Sequence, residues 1–385
     1  MEAISHSPNR VVAAQKLKQF SFKLLRSYYV LHGWQMQAWA KLRGREFACG
    51  CLGSFSNIDN VMVNSDGTVT CDCRDTTGEG QIGNILTEPL ETLYRNEKAS
   101  ASRRELQRRK FPMRRCAQCA FLREINPRKQ PELRIPSTGR VIRNLSIETT
   151  VLCNYDCLGC MREIIYAHRT GRFLNDAQFN QVLERFATYN VKRLWFYNLG
   201  EPSMARGLPE QLRLARERFP QSRIYMSTNG TFLDSDRHRQ AIVDCVTALE
   251  FSIDGPDQQT AERYQKGIDF ARVVKNLKDL VQFRERLQTP KPGVYWKYVL
   301  FSWNDTKAHL EKLIALAKDA GVDGIMFFPA KTPFYGIPRH FLLRQKRYWK
   351  ELGLVPTTTG EILLPLRNPV LYPYGGTAEE LTACA

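Results

Sequence analysis

The sequence predicts an α/β fold whose second half is built on a parallel sheet, preceded by a smaller cysteine-rich region. Three observations lead to this prediction. Strand and helix patterns alternate after residue 140, polar residues recur where the strands end, and cysteines cluster before and directly after the first of these strands. A chain of 385 residues can bury a core large enough for one large domain and one small one.

Residues 1–45 form the first region, and their pattern predicts a basic amphipathic helix over residues 11–42. Apolar side chains recur there at steps of three and four residues: Leu17, Phe20, Leu24, Tyr28 and Leu31. We expect Gly33 to interrupt this helix. The helix either packs on the body of the protein or lies on a membrane surface, and the sequence leaves both interpretations open.

Residues 46–140 form the cysteine-rich region and a linker. Six cysteines occur there in three pairs: Cys49 and Cys51, Cys71 and Cys73, Cys116 and Cys119. The N-terminus has no secretory signal pattern, so eleven cysteines in the chain favour metal binding or catalysis in a reducing compartment over disulfides. Asp66-Gly67 has the chemistry of a β-hairpin turn.

The sequence pattern of residues 141–335 predicts six consecutive βα units. The strand candidates are RNLSIETT, RLWFYNLG, RIYMSTNG, LEFSIDG, VYWKYVLF and GIMFFPA, with helical stretches such as DAQFNQVLERFATY and TKAHLEKLIALAKDAG between them. Because each helical crossover returns the chain in the same direction, the strands form a parallel sheet. Functional groups gather at the carboxyl ends of such strands. Residues 336–385 form a C-terminal extension without a recognised motif.

The stretch CNYDCLGC follows the first of these strands and provides three thiols, from Cys153, Cys157 and Cys160. A [4Fe–4S] cube takes four ligands, so three cysteines would leave one iron open. A zinc site completed by a distant His or Cys fits the same spacing. The spacing alone does not decide between the two.

The second strand ends in NLGEP, which places Gly200, Glu201 and Pro202 at the edge of the sheet. A glycine at this position lets a ligand approach the backbone closely. The Glu201 carboxylate is suited to accept hydrogen bonds from an ammonium group.

The third and fourth strands end in polar residues that share a face. Ser227 and Asn229 are two residues apart, as are Glu250, Ser252 and Asp254. Polar groups along a buried parallel strand are costly unless they line a cavity. Together with NLGEP, they predict a ligand-binding cavity beside CNYDCLGC.

Residues 143 to about 330 resemble a radical S-adenosylmethionine (SAM) domain, which is a partial (β/α)6 barrel. The resemblance rests on CNYDCLGC, on GEP as a form of the family's Gly-Gly-Glu motif, and on the strand ends STNG and SIDG. It implies that the three thiolates bind a [4Fe–4S] cluster whose open iron chelates the amino and carboxylate groups of SAM. An electron then cleaves SAM to methionine and a 5′-deoxyadenosyl radical, which abstracts a hydrogen from the substrate.

The resemblance also implies roles for the strand-end residues. Glu201 would hold the methionyl amine, and Ser252 and Asp254 would contact the ribose or the carboxylate, with Ser227 and Asn229 close by.

One position departs from the family. An aromatic residue commonly precedes the third cysteine, near the adenine, and Gly159 stands there in this chain. The adenine contact must come from elsewhere, and the candidates are Tyr155, Met161, Phe327 and Phe328.

The cysteine-rich region resembles the auxiliary-cluster module called SPASM or twitch. The matching segments are VMVNSDGTVTCDC, QIGNILTEPLETLYRNEKA and RRCAQC. The resemblance implies one auxiliary [4Fe–4S] cluster held by Cys71, Cys116 and Cys119 together with Cys51 or Cys49. A structural zinc on the same thiolates is the alternative. The module precedes the barrel here, whereas the family usually places it after.

The predicted function is that of a radical SAM enzyme that modifies an anionic small molecule or a sugar conjugate by a redox reaction. A net charge of +17, with 14 Lys or Arg in residues 98–143, favours anionic partners. The alternatives are a peptide maturase of the kind acting on ribosomal precursor peptides, an RNA-modifying enzyme, and a zinc- or cluster-bearing nucleic-acid-binding protein without SAM chemistry. We expect a flavodoxin or ferredoxin as electron donor and a cytoplasmic location, with membrane contact through the N-terminal helix as a further option.

Overall fold

The computed structural model describes most of the chain from residue 27 to residue 367. The described ranges are 27–28, 30–52, 57–71, 75, 78–119, 121–131, 140–166, 168–331, 333–343, 345–356 and 362–367. The predicted helix over residues 11–26, together with Cys73 and Cys384, lies outside them.

The elements that precede the barrel are short. In chain order they are helix α1 (30–42), β1 (Glu46–Cys49), β2 (Asn57–Ile58), β3 (Val61–Val63), β4 (Thr68–Thr70), β5 (Gln81–Asn84), α2 (Leu90–Arg95), α3 (Glu97–Gln107) and β6 (Leu122–Ile125). Single 3-10 turns cover Gly50–Leu52 and Arg114–Gln118, and each of these turns carries a cysteine.

Strands and helices alternate in the second half. The strands are β7 (Val141–Ile147), β8 (Asp156–Cys157), β9 (Asn190–Phe196), β10 (Arg223–Thr228), β11 (Ala248–Ser252), β12 (Gln265–Lys266), β13 (Gly293–Leu300), β14 (Gly324–Pro329), β15 (Val355–Pro356) and β16 (Ile362–Pro365). The helices are α4 (Arg162–Tyr166), α5 (Asp176–Phe186), α6 (Leu208–Arg218), α7 (Asp236–Cys245), α8 (Gln258–Glu262), α9 (Phe270–Arg286), α10 (Lys307–Asp319), α11 (Arg339–Leu343) and α12 (Gln345–Leu352).

Six parallel strands form the centre of the molecule, in the order β7, β9, β10, β11, β13 and β14. They correspond one to one to the six predicted strands, so the predicted α/β fold with a parallel six-stranded centre is confirmed. Long crossover helices separate them because parallel neighbours cannot be joined by a tight turn. The carboxyl ends of all six strands therefore meet at one edge of the sheet.

Other strands extend this sheet at both sides, to 12 strands within the described residues. On one side β3 pairs in parallel with β7, and β4 and β5 continue antiparallel. On the other side β16 pairs antiparallel with β14. The cysteine-rich region thus shares one hydrogen-bonded sheet with the barrel and joins it at the first barrel strand.

The Asp66-Gly67 turn between β3 and β4 is confirmed. Gly67 has φ +79°, and its amide donates to Asn64 O at 2.9 Å. The Asp66 carboxylate also accepts the Thr170 amide at 3.0 Å. The hairpin tip is therefore fixed to the segment that follows the CNYDCLGC loop.

A buried ion pair fixes the same contact. Arg169 donates to Glu148 at 3.1 Å, and both side chains are almost completely buried. The Ser65 amide donates to the same Glu148 oxygen at 3.1 Å. Removing Arg169 would leave a buried carboxylate without its counter-charge.

Asp59 makes a second junction between the cysteine-rich region and the barrel. Its buried carboxylate accepts Arg143 of β7 at 2.9 Å and Arg123 at 3.3 Å. Burial raises its pKa, and the two guanidinium groups act in the opposite direction. The same carboxylate crowds Gly50, where an added Cβ would lie 1.8 Å from an Asp59 oxygen.

The expected interruption at Gly33 is wrong, because helix α1 runs through it. Gly33 is buried, and a Cβ added there would lie 3.3 Å from the Phe111 ring. The absence of a side chain at Gly33 lets helix α1 pack closely against the cysteine-rich region. Within the described ranges, no helix is long and apolar enough to cross a membrane.

The core lies mainly between the outer face of the sheet and the helices. A separate apolar cluster closes the floor of the inner face, formed by Trp195, Tyr225, Ala248, Tyr295, Met326 and Leu363. Polar side chains of the inner face must therefore lie above this floor, toward the carboxyl ends of the strands.

Candidate active site

The CNYDCLGC loop leaves β7 and is tied down at several points. Cys157 pairs with Gln265 in the short β8–β12 ladder. The Leu158 amide donates to Tyr264 O at 2.9 Å. Arg162, at the start of α4, donates to Cys153 O at 2.8 Å and also to Tyr155 O. These bonds curl the loop so that its cysteines lie over the strand ends.

The three thiols of this loop lie close to one another. Burial raises the pKa of the Cys157 thiol well above its usual value, and negative charge on Cys160 would raise it further. Burial also raises the pKa of Cys153. Such thiols ionise when a metal centre supplies the positive charge, and binding releases their protons.

A cluster of several irons fits this donor set. Three grouped thiols without a fourth protein ligand among them suit a cube with one open iron.

Asn229 joins the loop to the third barrel strand. Its side-chain amide lies 3.8 Å from Cys153 Sγ and donates to Asn154 Oδ1 at 2.8 Å. Asn229 therefore lies against the cysteine loop.

Glu201 is buried, and the protein itself occupies its carboxylate. Oε1 accepts the Ser203 amide at 3.0 Å and the Thr228 hydroxyl at 2.6 Å, while Oε2 accepts the Asn229 amide at 2.6 Å. Burial raises its pKa despite these donors. In this structure the carboxylate therefore holds two strand ends together.

Gly200 allows another segment of the protein's own backbone to approach closely. A Cβ there would lie 1.9 Å from Thr150 O. Pro202 begins a short 3-10 turn, in which the Glu201 side chain accepts the Ser203 amide. The GEP motif thus fixes the second strand end against the cysteine loop.

Sequence reasoning missed Asn198 in the same loop. Its side-chain nitrogen is buried and has no hydrogen-bond partner among the described residues. An unpaired donor beside the cysteine loop is available to a carboxylate ligand. Its place in NLGEP, three residues before Glu201, is the sequence feature that could have identified it.

A polar shelf lies above the apolar floor of the inner face, and we define it as Ser227, Glu250, Ser252 and Lys297. The Lys297 ammonium is 2.9 Å from Glu250 Oε2 and 3.5 Å from Ser227 Oγ. Ser227 Oγ is 3.4 Å from Ser252 Oγ. The Phe328 ring lies 5.2 Å from the same ammonium. The predicted inward face of β10 and β11 is thus present, and Lys297 was missed.

The other Glu250 oxygen, Oε1, is buried and has no partner within the part of the chain that is described. A buried carboxylate oxygen without a donor is costly in a folded protein. The shelf therefore has an acceptor available to a ligand.

Asp254 does not join the shelf. Its carboxylate accepts the Val299 amide at 2.7 Å, and Asn304 donates to its main-chain oxygen at 2.9 Å. Burial raises its pKa to about 7. In this structure Asp254 fixes the end of the fourth strand to the fifth.

Two of the four candidate adenine contacts do not fit that role. Phe327 is completely buried in the main core, and Tyr155 is buried with its hydroxyl bonded to Thr231 at 2.9 Å. Phe328 faces the inner side over Lys297, and Met161 is partly exposed beside the cysteine loop. These two remain compatible with the expectation.

A second group of thiols surrounds a cavity of about 40 Å³ in the cysteine-rich region. Cys49, Cys71, Cys116 and Cys119 all line it. The Cys119 amide donates to Cys116 O at 3.1 Å, so the C-x2-C pair forms a tight turn. Four thiols around one space match the ligand number of an iron–sulfur cube.

Cys51 lies next to this cavity without lining it. Its thiol interacts with those of Cys49 and Cys119, and burial raises its pKa. The pKa of Cys49 is raised first by its contact with Cys119 and then by burial. Both predicted alternatives for the fourth ligand, Cys49 and Cys51, thus lie at this group of thiols.

The curated relatives of this chain match only part of its length. GTP 3′,8-cyclase of Rhizobium leguminosarum bv. trifolii is 24% identical over 191 residues, 48% of this chain and 51% of that protein. GTP 3′,8-cyclase of Tolumonas auensis is 30% identical over 119 residues, 31% of this chain and 35% of that protein. The chain thus spans about half the length of one and about a third of the other.

Among solved structures, Streptococcus suis SuiB bound to S-adenosylmethionine superposes with a TM-score of 0.44 at 13% identity, covering 76% of this chain and 68% of that one. TYW1 with a lysine-pyruvate adduct bound gives a TM-score of 0.39 at 16% identity, covering 59% of this chain and 80% of that one. Both similarities are distant.

Two family sequence models match directly. Residues 147–285 match the radical SAM superfamily. Residues 51–120 match the SPASM iron–sulfur cluster-binding domain. The chain thus contains a radical SAM domain over residues 147–285, with a SPASM domain in front of it over residues 51–120.

Proposed function

We propose that this protein reductively cleaves SAM and uses the resulting radical to oxidise a small polar substrate, a phosphorylated sugar or a sugar conjugate, held on the polar shelf. The observation that carries the proposal is the position of this shelf, on the inner face of the barrel sheet near the strand ends where the three-thiol loop lies. When bound, the cluster and SAM supply the electron and the 5′-deoxyadenosyl radical.

In this proposal Cys153, Cys157 and Cys160 hold the SAM-binding cluster. Asn198 donates to the methionyl carboxylate through its unpaired side-chain nitrogen. Ser252 contacts the ribose, since its hydroxyl lies at the upper end of the shelf. Glu201, Gly200 and Asp254 act by holding the strand ends that carry these groups.

The proposed auxiliary cluster has Cys49, Cys71, Cys116 and Cys119 as ligands. All four line one cavity, which is the support for this assignment. Cys51 and Cys73 are then not required as ligands. An auxiliary centre favours a redox reaction, because it can accept the electron that remains after hydrogen abstraction.

The chemistry of the shelf supports the substrate class. Lys297 can donate to a hydroxyl or an anionic group, and Glu250 Oε1 can accept from a hydroxyl. A hydroxyl donates and accepts, so vicinal hydroxyls of a sugar would satisfy both groups at once. The excess of positive charge elsewhere supports an anionic group on the same substrate.

The proposed setting is the cytoplasm, with a flavodoxin or ferredoxin as electron donor. Buried thiols at both sites must stay reduced until iron binds, which a reducing compartment ensures.

Deuterium transfer can identify the substrate class. An extract of cells grown in deuterated medium is separated into polar small-molecule, lipid, peptide and RNA fractions. Each is incubated anaerobically with reconstituted protein, SAM and dithionite. We expect deuterium in 5′-deoxyadenosine only with the polar small-molecule or glycolipid fraction. Deuterium from the peptide or the RNA fraction alone would contradict the proposal and favour a maturase or an RNA-modifying enzyme.

Replacing the ion pair of the shelf should separate SAM cleavage from substrate use. In the double variant Lys297→Met/Glu250→Gln no unpaired buried charge is left, yet the donor and the charged acceptor are lost. We expect deuterium transfer to fall about tenfold or more, since a charge-assisted hydrogen bond contributes roughly 1.5–3 kcal/mol. Unlabelled 5′-deoxyadenosine should still form.

The matched control is Lys278→Met. Lys278 forms an ion pair with Asp319 on the outer surface, where such pairs contribute little. This variant should transfer deuterium as the wild type does. Equal deuterium transfer by the shelf variant and the control would show that Lys297 and Glu250 do not bind the substrate.

A further inference from the structure

Helix α1, together with Tyr28 before it, presents an apolar stripe to solvent, defined by Tyr28, Leu31, Trp34, Trp39 and Leu42. All five side chains are more than half exposed, from 54% for Trp39 to 80% for Leu42. The 3.6-residue period places Tyr28, Leu31, Trp39 and Leu42 on one face, with Trp34 beside it. Five large apolar side chains on one exposed face form a patch rather than isolated surface residues.

The opposite face of the same helix is already packed on the protein. Ala40 is completely buried, and Gly33 lies against Phe111 and Ala117 of the cysteine-rich region. The helix therefore does not need the stripe for its own attachment. The stripe is fixed in orientation, facing away from the body of the protein.

The sequence around the stripe is basic. From residue 3 to residue 45 it holds eight Lys or Arg and neither Asp nor Glu. Lys41 and Arg43 are exposed at the end of the helix, next to Leu42, and Arg43 pairs with Glu124 at 2.8 Å. Arg108 and Lys110 are exposed close to Phe111, against which the helix packs, and Arg108 lies 3.5 Å from Glu105. An apolar stripe flanked by positive charge is complementary to an anionic lipid surface.

We propose that the α1 stripe docks the protein on an anionic membrane surface, with Trp34, Trp39, Leu31 and Leu42 inserted at the level of the headgroups. Trp and Tyr favour this interface because one part of the ring is apolar and the other is polar. A second copy of the chain is a poor occupant, because the same positive charges would face each other. This surface does not depend on the proposed reaction.

Vesicle flotation tests the docking directly. The full-length protein is mixed with vesicles of phosphatidylcholine or of phosphatidylcholine with about one third phosphatidylglycerol. We expect binding to the anionic vesicles only. In the variant Trp34→Ser/Trp39→Ser the partition coefficient should fall at least about tenfold, because two large side chains no longer leave water. High salt should weaken wild-type binding, since it screens the attraction to the lipids.

A matched pair of single variants separates the stripe from general surface apolarity. Leu42 is 80% exposed on the stripe and Leu343 is 86% exposed in the C-terminal extension. Leu42→Ser should reduce binding several-fold, whereas Leu343→Ser should not. Thermal unfolding of each variant verifies that these exposed positions leave the fold intact.

Three results would overturn the proposal. Wild-type protein that stays unbound with anionic vesicles at low salt excludes the membrane as the occupant. Equal partitioning of Trp34→Ser/Trp39→Ser and wild type excludes the stripe. Binding to a single-stranded RNA of similar charge that the same variant loses, without vesicle binding, assigns the surface to nucleic acid instead.

Discussion

Replacing Cys153, Cys157 and Cys160 together by Ala should halve the iron content of the reconstituted protein, from about eight to about four atoms per chain. The two thiol groups lie in separate parts of the fold, one over the barrel strand ends and one around the cavity of the SPASM domain. Loss of one set should leave the other able to bind its cluster. This variant should form no 5′-deoxyadenosine. Iron, zinc and sulfide analysis with electron paramagnetic resonance measures the effect.

The complementary variant is Cys116→Ser/Cys119→Ser, which should also retain about four irons but keep SAM cleavage. Cys245→Ala is the control, because Cys245 is buried in the core at the end of α7 and contacts neither site. A wild type with about four irons and one zinc would assign the SPASM site to zinc. Loss of all iron in either variant would contradict the claim that the two cluster sites bind iron independently.

Gly200→Ala should destabilise the protein by about 3 kcal/mol and abolish SAM cleavage. The added Cβ would lie 1.9 Å from Thr150 O and 2.8 Å from Val151 Cα, which are backbone atoms that cannot rotate away. The loop must shift, and the bond from the Glu201 amide to Leu152 O, 2.8 Å long, would be lost with it. Urea unfolding and 5′-deoxyadenosine formation measure the two effects.

Gly171→Ala provides the matched glycine control. A Cβ at Gly171 would lie 3.4 Å from Asp66, which is an ordinary contact. This change should alter stability by less than about 1 kcal/mol. If Gly200→Ala behaves like Gly171→Ala, the close packing of the GEP motif on the cysteine loop is not needed for function.

The barrel strands and the hairpin turn could be read from the sequence because both depend on local signals. Period-two and helical patterns alternate over short windows, and Asp66-Gly67 has the residue types that a tight turn needs. The inward direction of Ser227, Glu250 and Ser252 followed from the same period. These features are determined within a few residues along the chain.

Contacts with partners far away in the chain could not be read from the sequence. Gly33 has the residue type of a helix break, yet Phe111, 78 positions later, fills the space that its missing side chain leaves. Glu201 has the chemistry of an ammonium ligand, and its hydrogen bonds from Thr228 and Asn229 of the next strand became visible only in the structure. A single sequence does not specify which side chains and amides a carboxylate meets.

Lys297 could have been recognised. It is a charged residue in the middle of VYWKYVLF, an otherwise apolar strand. The alternation of side chains along the strand places it on the inward face. What the pattern could not supply was its partner, since the register that places it within 2.9 Å of Glu250 depends on how β11 and β13 pair.

The most direct test of the central claim is SAM cleavage by the wild-type protein. Protein reconstituted with iron and sulfide is incubated anaerobically with SAM and dithionite, and methionine and 5′-deoxyadenosine are quantified. The account predicts that both form in equal amounts and that Cys153→Ala forms neither. A wild type that contains its full iron and still yields no 5′-deoxyadenosine, like Cys153→Ala, would contradict it.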